Sequence, residues 1–177
     1  MNFQQKPVRT YREFHNIYDP GYTVRLHPCG ENHQTWRRAS ICTSGGWAIL
    51  SKLPLEDVTR GLPGDDSDEQ ARWIEATVMG DKTAVRVCGL YLPNGNPAPG
   101  PKYDYKLAWM ERLRTHAKDL LASEEAVVMA GDYNIIPQDE DAARPEVWAE
   151  DALALPESRA AFHRILNLGF TEAFRAR

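Results

Sequence analysis

The chain has 177 residues, a mass of 20.0 kDa and a formal net charge of −4, and 42% of its residues are apolar or aromatic. This length and composition predict one globular domain with a sizeable core. No apolar run is long enough to cross a bilayer and the N-terminus lacks the apolar segment of a signal peptide, so we expect a cytoplasmic protein with no membrane contact.

The charge distribution and the cysteines restrict the class further. Residues 1–60 carry 8 Lys and Arg against 5 Asp and Glu, whereas residues 61–177 carry 13 against 20. A negative total is unusual for a protein dominated by phosphate contacts, but a local basic face is compatible with it, and an acidic metal site would make the second part negative. The three widely spaced cysteines predict reduced thiols, with Cys88 in the core.

Residues 1–45 show no sustained period of 2 or 3.6 residues, which predicts a largely irregular segment. Four candidate zinc ligands in this segment have a spacing that matches no compact zinc finger: His27, Cys29, His33 and Cys42. We favour scattered loop residues over a zinc site. The pattern changes at Gly45, because residues 47–50 form a short apolar run that predicts a strand. A domain is therefore predicted to begin here.

A β-hairpin is predicted next. Residues 72–79 and 83–92 both carry β-branched residues with partial alternation, and Gly-Asp-Lys separates them. An acidic, glycine-containing surface loop at 60–69 precedes the hairpin, and a loop rich in proline and glycine at 93–101 follows it. Loops at strand ends often line functional sites.

The clearest helix is predicted over residues 102–123. Apolar residues recur there at steps of three and four: Tyr103, Leu107, Met110, Leu113, Ala117 and Leu120. The basic residues fall mostly on other faces: Lys106, Arg112, Arg114 and Lys118. The apolar run at 126–130 predicts a buried strand after this helix, and the order strand, helix, strand predicts a crossover between parallel strands. A second helix is predicted to open at Pro156 and to end before Gly169.

Polar side chains follow two of the predicted strands. Asp132 and Asn134 come directly after the strand at 126–130, and their separation of two predicts that both point to the same side. Tyr91 lies at the end of the second strand of the hairpin, and Asn94 follows that strand. In open α/β sheets, functional groups gather beyond the carboxyl ends of strands. A plain turn is the alternative interpretation of residues 131–134, because Gly, Asp and Asn are common turn formers.

The G-D-x-N motif at 131–134 and the Y-x-P-N motif at 91–94 resemble those of the exodeoxyribonuclease III and AP endonuclease branch of the endonuclease/exonuclease/phosphatase superfamily. The resemblance extends over about residues 45–177. It implies an α/β fold, part of a four-layer α/β-sandwich of the DNase I-like type. Residues 46–177 would form a partial domain of this superfamily, and residues 1–45 an atypical N-terminal segment that does not match it.

The resemblance implies a Mg²⁺-dependent phosphodiesterase, with Mn²⁺ as an alternative metal, acting in base excision repair on duplex DNA at 3′ ends or abasic sites. Asp132 would orient and deprotonate the attacking water. Asn134 would hold that geometry or bind the metal. Tyr91 would donate to the phosphate or the leaving oxygen, Asn94 to a non-bridging oxygen, and Arg72 would contact DNA. The structural alternatives are a half-buried strand residue for Tyr91, a turn former for Asn94 and a surface strand residue for Arg72.

Several motifs of these relatives are absent from the chain. No W-N-x-N or Q-E motif occurs in residues 1–45, and no S-D-H motif follows residue 134. The sequence therefore predicts a partial family member whose catalysis is weak or absent. Two alternative functions are kept: a superfamily phosphodiesterase that acts on inositol-phosphate or lipid substrates, and a non-catalytic remnant or interaction protein.

Overall fold

A computed structural model describes residues 24–28, 39–42 and 47–176. Six strands come first, followed by a helix, a seventh strand and a second helix, so these residues combine strands and helices as the predicted α/β class requires. The elements are, in chain order, β1 Val24–Pro28, β2 Ala39–Cys42, β3 Trp47–Ser51, β4 Leu55–Arg60, β5 Trp73–Met79, β6 Ala84–Tyr91, α1 Pro101–Ala122, β7 Val127–Asp132 and α2 Pro156–Leu166. Two short 3₁₀ helices, Asp139–Asp141 and Pro145–Trp148, lie between β7 and α2.

Contacts divide the chain into two compact units. We call the first the sheet unit; of the described residues it contains all those up to residue 91, together with residues 120–132. We call the second the helical unit; it contains residues 92–119 and 133–176. The strand ends that carry the sequence motifs are the points where the chain passes from one unit to the other.

The sheet unit consists of two sheets with a shared apolar core. The three-stranded sheet has the order β1-β3-β2, and the four-stranded sheet has the order β4-β5-β6-β7. Ile49 of β3 packs with a set of buried side chains from the larger sheet: Ile74, Ala76, Val78, Val87 and Ala130. Burial of this apolar surface from both sheets is what stabilises their stacking.

The larger sheet confirms both the predicted hairpin and the predicted crossover. β5 and β6 pair antiparallel over their full length, with Trp73 opposite Leu90 and Met79 opposite Ala84. β6 and β7 pair parallel, and α1 connects them. A parallel pair brings the carboxyl ends of both strands to the same edge of the sheet.

The helical unit contains most of α1, the irregular segments after β6 and β7, and α2. Pro156 occupies the first turn of α2, where its missing N–H leaves no hydrogen bond unmade. Gly169 follows the end of this helix with φ +125°. A separate core cluster of this unit joins Ile136, Leu153 and Ala154. The predicted start and end of the second helix are thus confirmed to within a few residues.

Two predictions for the N-terminal part need correction. The segment before residue 45 is not wholly irregular, because β1 and β2 lie in it and pair with β3. β4 was not predicted, since a register shift between Glu56 and Thr59 interrupts its alternation. The predicted boundary at residue 45 and the side chains of the four zinc candidates lie outside the described parts of the chain.

None of the helices in the described ranges combines the length and the apolar content needed to span a bilayer.

Candidate functional site

Tyr91 and Asp132 are the last residues of β6 and β7, and they pair directly in the parallel register. Because side chains alternate along a strand, both lie on the same sheet face as Val87 and Ala130, which belong to the core beneath β3. Tyr91 is 41% exposed and Asp132 is half-buried. The Tyr91 phenol and the Asp132 carboxylate are therefore neighbours at a solvent-accessible edge of this core.

Arg72 is held over the ring of Tyr91. Its guanidinium carbon lies 5.3 Å from the ring centroid, and its Nη1 donates a hydrogen bond of 3.3 Å to the Tyr91 carbonyl. Gln70 accepts a second bond, of 2.6 Å, from Arg72 Nε. A cation over an aromatic face is attracted by the ring quadrupole. The structure thus brings together three of the five predicted site residues within the sheet unit.

The other two predicted residues, Asn94 and Asn134, meet within the helical unit. Asn134 is buried, and its Nδ2 donates a hydrogen bond of 2.8 Å to the Leu92 carbonyl. Its Oδ1 accepts a hydrogen bond from Asn94 Nδ2 at 3.5 Å, and Asn94 Oδ1 in turn accepts one from the backbone N–H of Asn96 at 3.1 Å. The segment after β6 and the segment after β7 are therefore joined through two side-chain amides.

The backbone of Asn134 has φ +45°, a left-handed conformation that few non-glycine residues adopt. Asn tolerates this region better than most residues because its short polar side chain can bond locally. The G-D-x-N motif therefore combines a backbone requirement with a side-chain one. The positive φ agrees with the turn interpretation of residues 131–134, and the site interpretation stays a prediction.

Lys106 does not lie with the basic residues outside the apolar stripe of α1, where the sequence predicts it. It is fully buried, and its Nζ donates to the Asn134 carbonyl at 2.7 Å and to the Asn94 carbonyl at 3.0 Å. Its position, three residues after Tyr103 and four before Met110, is the signal that would have placed it on the buried face. A basic residue on that face is paired with backbone oxygens rather than presented to DNA.

The side chains of the described residues do not form a complete metal centre. No group of three or more His, Cys, Asp and Glu side chains among them is arranged to hold an ion. The amide of Asn134, predicted as a metal ligand, is engaged by Leu92 and Asn94. Its role toward a metal stays a prediction.

Comparison with known proteins identifies one family. The profile of the Endonuclease/Exonuclease/phosphatase family matches residues 5–175. An exodeoxyribonuclease of Bacillus subtilis is 28% identical over 143 residues, which make up 81% of this chain and 54% of that protein. The predicted resemblance to the exodeoxyribonuclease III branch is confirmed by these matches.

Solved structures agree with the sequence matches. Two structures of NExo from Neisseria, one described as a 3′-5′ exonuclease and one as a 3′ phosphatase bound to a product DNA hairpin, are each 37% identical with a TM-score of 0.69. They cover 74% of this chain and 50% and 49% of their own chains. An AP endonuclease from Archaeoglobus fulgidus is 30% identical with a TM-score of 0.69, over 88% of this chain and 54% of its own. The chain thus spans about half the length of these relatives, and the predicted DNase I-like α/β fold is confirmed.

Proposed function

Since the chain belongs to the Endonuclease/Exonuclease/phosphatase family, we propose that it contributes an exodeoxyribonuclease III-like phosphodiesterase site that acts on DNA in base excision repair. The observation that carries the proposal is the direct pairing of Tyr91 and Asp132 at the ends of β6 and β7. Support comes from the similarity to an exodeoxyribonuclease and to an AP endonuclease, and from the DNA hairpin bound to NExo.

Asp132 has the chemistry of the general base in this proposal. A carboxylate within reach of a water molecule can orient it and accept its proton as the water oxygen attacks phosphorus. The P–O bond to the 3′ oxygen then breaks, that oxygen takes a proton from solvent water, and Asp132 releases its own proton to solvent. The Tyr91 hydroxyl donates a hydrogen bond to the phosphate or to the leaving oxygen, where negative charge develops.

Asn94 and Asn134 have supporting roles. Asn94 is exposed and its Nδ2 can turn from Asn134 to a non-bridging phosphate oxygen. Asn134 is buried and holds the segment after β7 against Leu92, so its contribution is the geometry of that segment. Arg72 binds the DNA backbone or holds Tyr91, because its guanidinium lies over the Tyr91 ring and its charge attracts phosphate.

The proposal includes a divalent cation. Nucleases of this family depend on such an ion, and we assign Mg²⁺, with Mn²⁺ as a replacement. Mg²⁺ commonly takes only one or two ligands from the protein and completes its shell with water and phosphate oxygens. When bound, the ion would neutralise charge on the phosphate. The proposed substrate is duplex DNA with 3′ ends or abasic sites.

The test is a single-turnover assay with protein in excess over a labelled duplex that carries an abasic-site analogue, so that slow cleavage is measured. We expect cleavage that requires Mg²⁺ and stops when EDTA is added. Asp132→Asn should lower its rate by about 10²- to 10⁴-fold, whereas Asp119→Asn, an exposed acid on α1, should leave the rate unchanged.

Two outcomes would overturn the proposal. The first is absence of Mg²⁺-dependent cleavage with every DNA substrate, and the second is equal rates for the Asp132→Asn and Asp119→Asn variants. Vesicles that contain phosphatidylinositol serve as competitors in the same assay. If they displace duplex DNA at low concentration, a lipid or inositol-phosphate substrate replaces DNA.

A further inference from the structure

Lys106 is a buried amine that donates hydrogen bonds to two backbone carbonyl groups. It has no exposed surface, and its Nζ donates to the carbonyl oxygens of Asn94 at 3.0 Å and Asn134 at 2.7 Å. Burying an amine is unfavourable unless its hydrogen-bonding capacity is met inside the protein. The two carbonyls meet that need, and they belong to the two segments that carry the predicted phosphate-binding and motif residues.

The packing around Lys106 leaves space for its side chain and for little else. A Cβ atom on Gly95 would lie 2.7 Å from Lys106 Cδ, 3.1 Å from Ala152 Cβ and 3.3 Å from Tyr103 Cδ2. Gly95 has φ +91°, which favours glycine on backbone grounds as well. The glycine that follows the Y-x-P-N motif therefore leaves the space that the Lys106 side chain of α1 occupies.

The two bonded segments are also joined to each other. Asn134 Nδ2 donates to the Leu92 carbonyl at 2.8 Å, and Asn94 Nδ2 approaches Asn134 Oδ1 at 3.5 Å. Lys106 therefore closes a network in which the carbonyl groups of Asn94 and Asn134 are fixed by one amine and their side chains by one another. Each carbonyl group that Nζ holds belongs to the same residue as one of the two side-chain amides. A change at Nζ therefore also affects where these amides lie.

An apolar residue of similar length would fill the same volume without the cost of burying an amine. Replacing buried polar groups by apolar ones of similar shape is often neutral or stabilising when all partners are removed together. Here the partners are main-chain carbonyls, which cannot be removed, so the amine fixes where they point. Without the amine both carbonyls would lose this hydrogen bond, so the amine contributes to stability, and the orientation that it fixes is one that a phosphate site also requires.

We propose that Lys106 is a positioning residue of the phosphodiesterase site, setting the placement of Asn94 and Asn134 by holding their carbonyl oxygens. This inference rests on the proposed function of the same site. Lys106 does not touch the substrate and transfers no proton. Its effect is on the rate of the chemical step, through the geometry of the two amides.

Kinetics test the proposal with Lys106→Met, which keeps the length of the side chain and removes Nζ. We expect the single-turnover rate on abasic-site DNA to fall about 10- to 100-fold, while the DNA concentration at half-maximal rate changes less than about threefold. Lys118→Met is the matched control, because it removes an exposed lysine from the same helix. If Lys106→Met does not fold, Lys106→Gln, which is too short to reach both carbonyls, replaces it with the same expectation.

A double variant separates positioning from a general loss of structure. Asn134→Gly removes the amide and tolerates the positive φ at that position. In this background Lys106→Met should lower the rate by less than about threefold more, because the group that it positions is already absent. Multiplicative losses in the double variant, or a Lys106→Met rate within twofold of the unsubstituted protein, would overturn the proposal.

Hydrogen exchange decides the structural part independently of activity. Lys106→Met should raise amide exchange in peptides that cover residues 92–100 and 133–138 together, and leave peptides from β5 unchanged. Unchanged exchange in both segments would overturn the positioning role. If the unsubstituted protein cleaves no DNA, the proposed function fails, and joint loss of protection in the two segments still shows that Lys106 couples them.

Discussion

The carbonyl oxygen of Leu90 lies 1.9 Å from the point that a Cβ atom on Gly131 would occupy. These two residues pair in the β6–β7 register, immediately before the pair of Tyr91 and Asp132. The φ of Gly131 is +150°, a conformation that residues with a side chain rarely adopt. The ends of the two strands therefore approach each other only because residue 131 has no side chain.

Gly131→Ala should destabilise the protein by about 3 kcal/mol or more, since the new methyl group meets backbone that cannot move without breaking the ladder. Urea unfolding measures the loss. Gly61→Ala is the matched control, because Gly61 has φ +83° and nothing within 4 Å of the added atom. That control should cost only about 1 kcal/mol from backbone strain. Equal losses in both variants would contradict the steric argument.

Tyr91→Phe should lower the single-turnover cleavage rate about 10²-fold and leave stability nearly unchanged. The hydroxyl is lost, but the ring that lies 5.3 Å from the Arg72 guanidinium carbon is retained. Tyr91→Ala removes both, and it should add a loss of stability of about 0.5–1 kcal/mol from the cation–π contact. If Tyr91→Phe cleaves as fast as the unsubstituted protein, the phenol has no role in catalysis.

Arg86→Met should destabilise the protein by about 3 kcal/mol, because Glu75 is buried and its Oε1 lies 3.8 Å from Arg86 Nη1. Removal of the guanidinium leaves a buried carboxylate without this compensating charge. Arg114→Met is the control, since the ion pair of Arg114 with Glu111 is exposed and should have no measurable effect on stability. Thermal unfolding of the two variants compares them, and a similar midpoint for both would refute the prediction.

Cys88 should make the protein less stable in alkaline solution. Burial, followed by the nearby charge of Glu75, raises the pKa of the Cys88 thiol far above its usual range. Above about pH 9 the unfolded chain releases this proton and the folded chain keeps it, so stability is retained below that pH and lost as pH rises.

Urea unfolding between about pH 8 and pH 10.5 measures this loss against Cys88→Ala. The unsubstituted protein should lose about 1.4 kcal/mol per pH unit more than the variant above pH 9. The comparison of slopes cancels the contributions of other titrating groups that both proteins share. Parallel stability curves would show that the thiol is not protected from ionisation by the fold.

Local patterns predicted the elements around the site well. The apolar run before Gly131 and the periodicity of α1 predicted β7 and the crossover from β6, because each depends on residues close in sequence. β1, β2 and β4 were not predicted. β1 and β2 lie in a segment without a sustained period, although both pair with β3, and β4 carries a register shift that interrupts alternation.

Four residues of the candidate site were predicted from their motifs, and their two strand ends were expected to gather at one edge of the sheet, but the individual contacts were not predicted. Arg72 was expected at DNA or at the surface, and its guanidinium lies over Tyr91. Asn134 was expected to hold the geometry of the site or to bind the metal, and its amide forms hydrogen bonds with Leu92 and Asn94. Lys106 was predicted on a face other than the apolar stripe of α1, because it is basic, although its spacing from Tyr103 and Met110 matches that stripe.

The sequence by itself determined that these four residues lie at or just beyond the ends of two strands, since strand ends and turn formers are read from neighbouring residues: Tyr91, Asn94, Asp132 and Asn134. Only the tertiary structure decided that Tyr91 stands opposite Asp132, because register depends on hydrogen bonds between strands separated by a whole helix. It also decided that Lys106 is buried. The two carbonyls that accept its hydrogen bonds become neighbours only after the chain has folded.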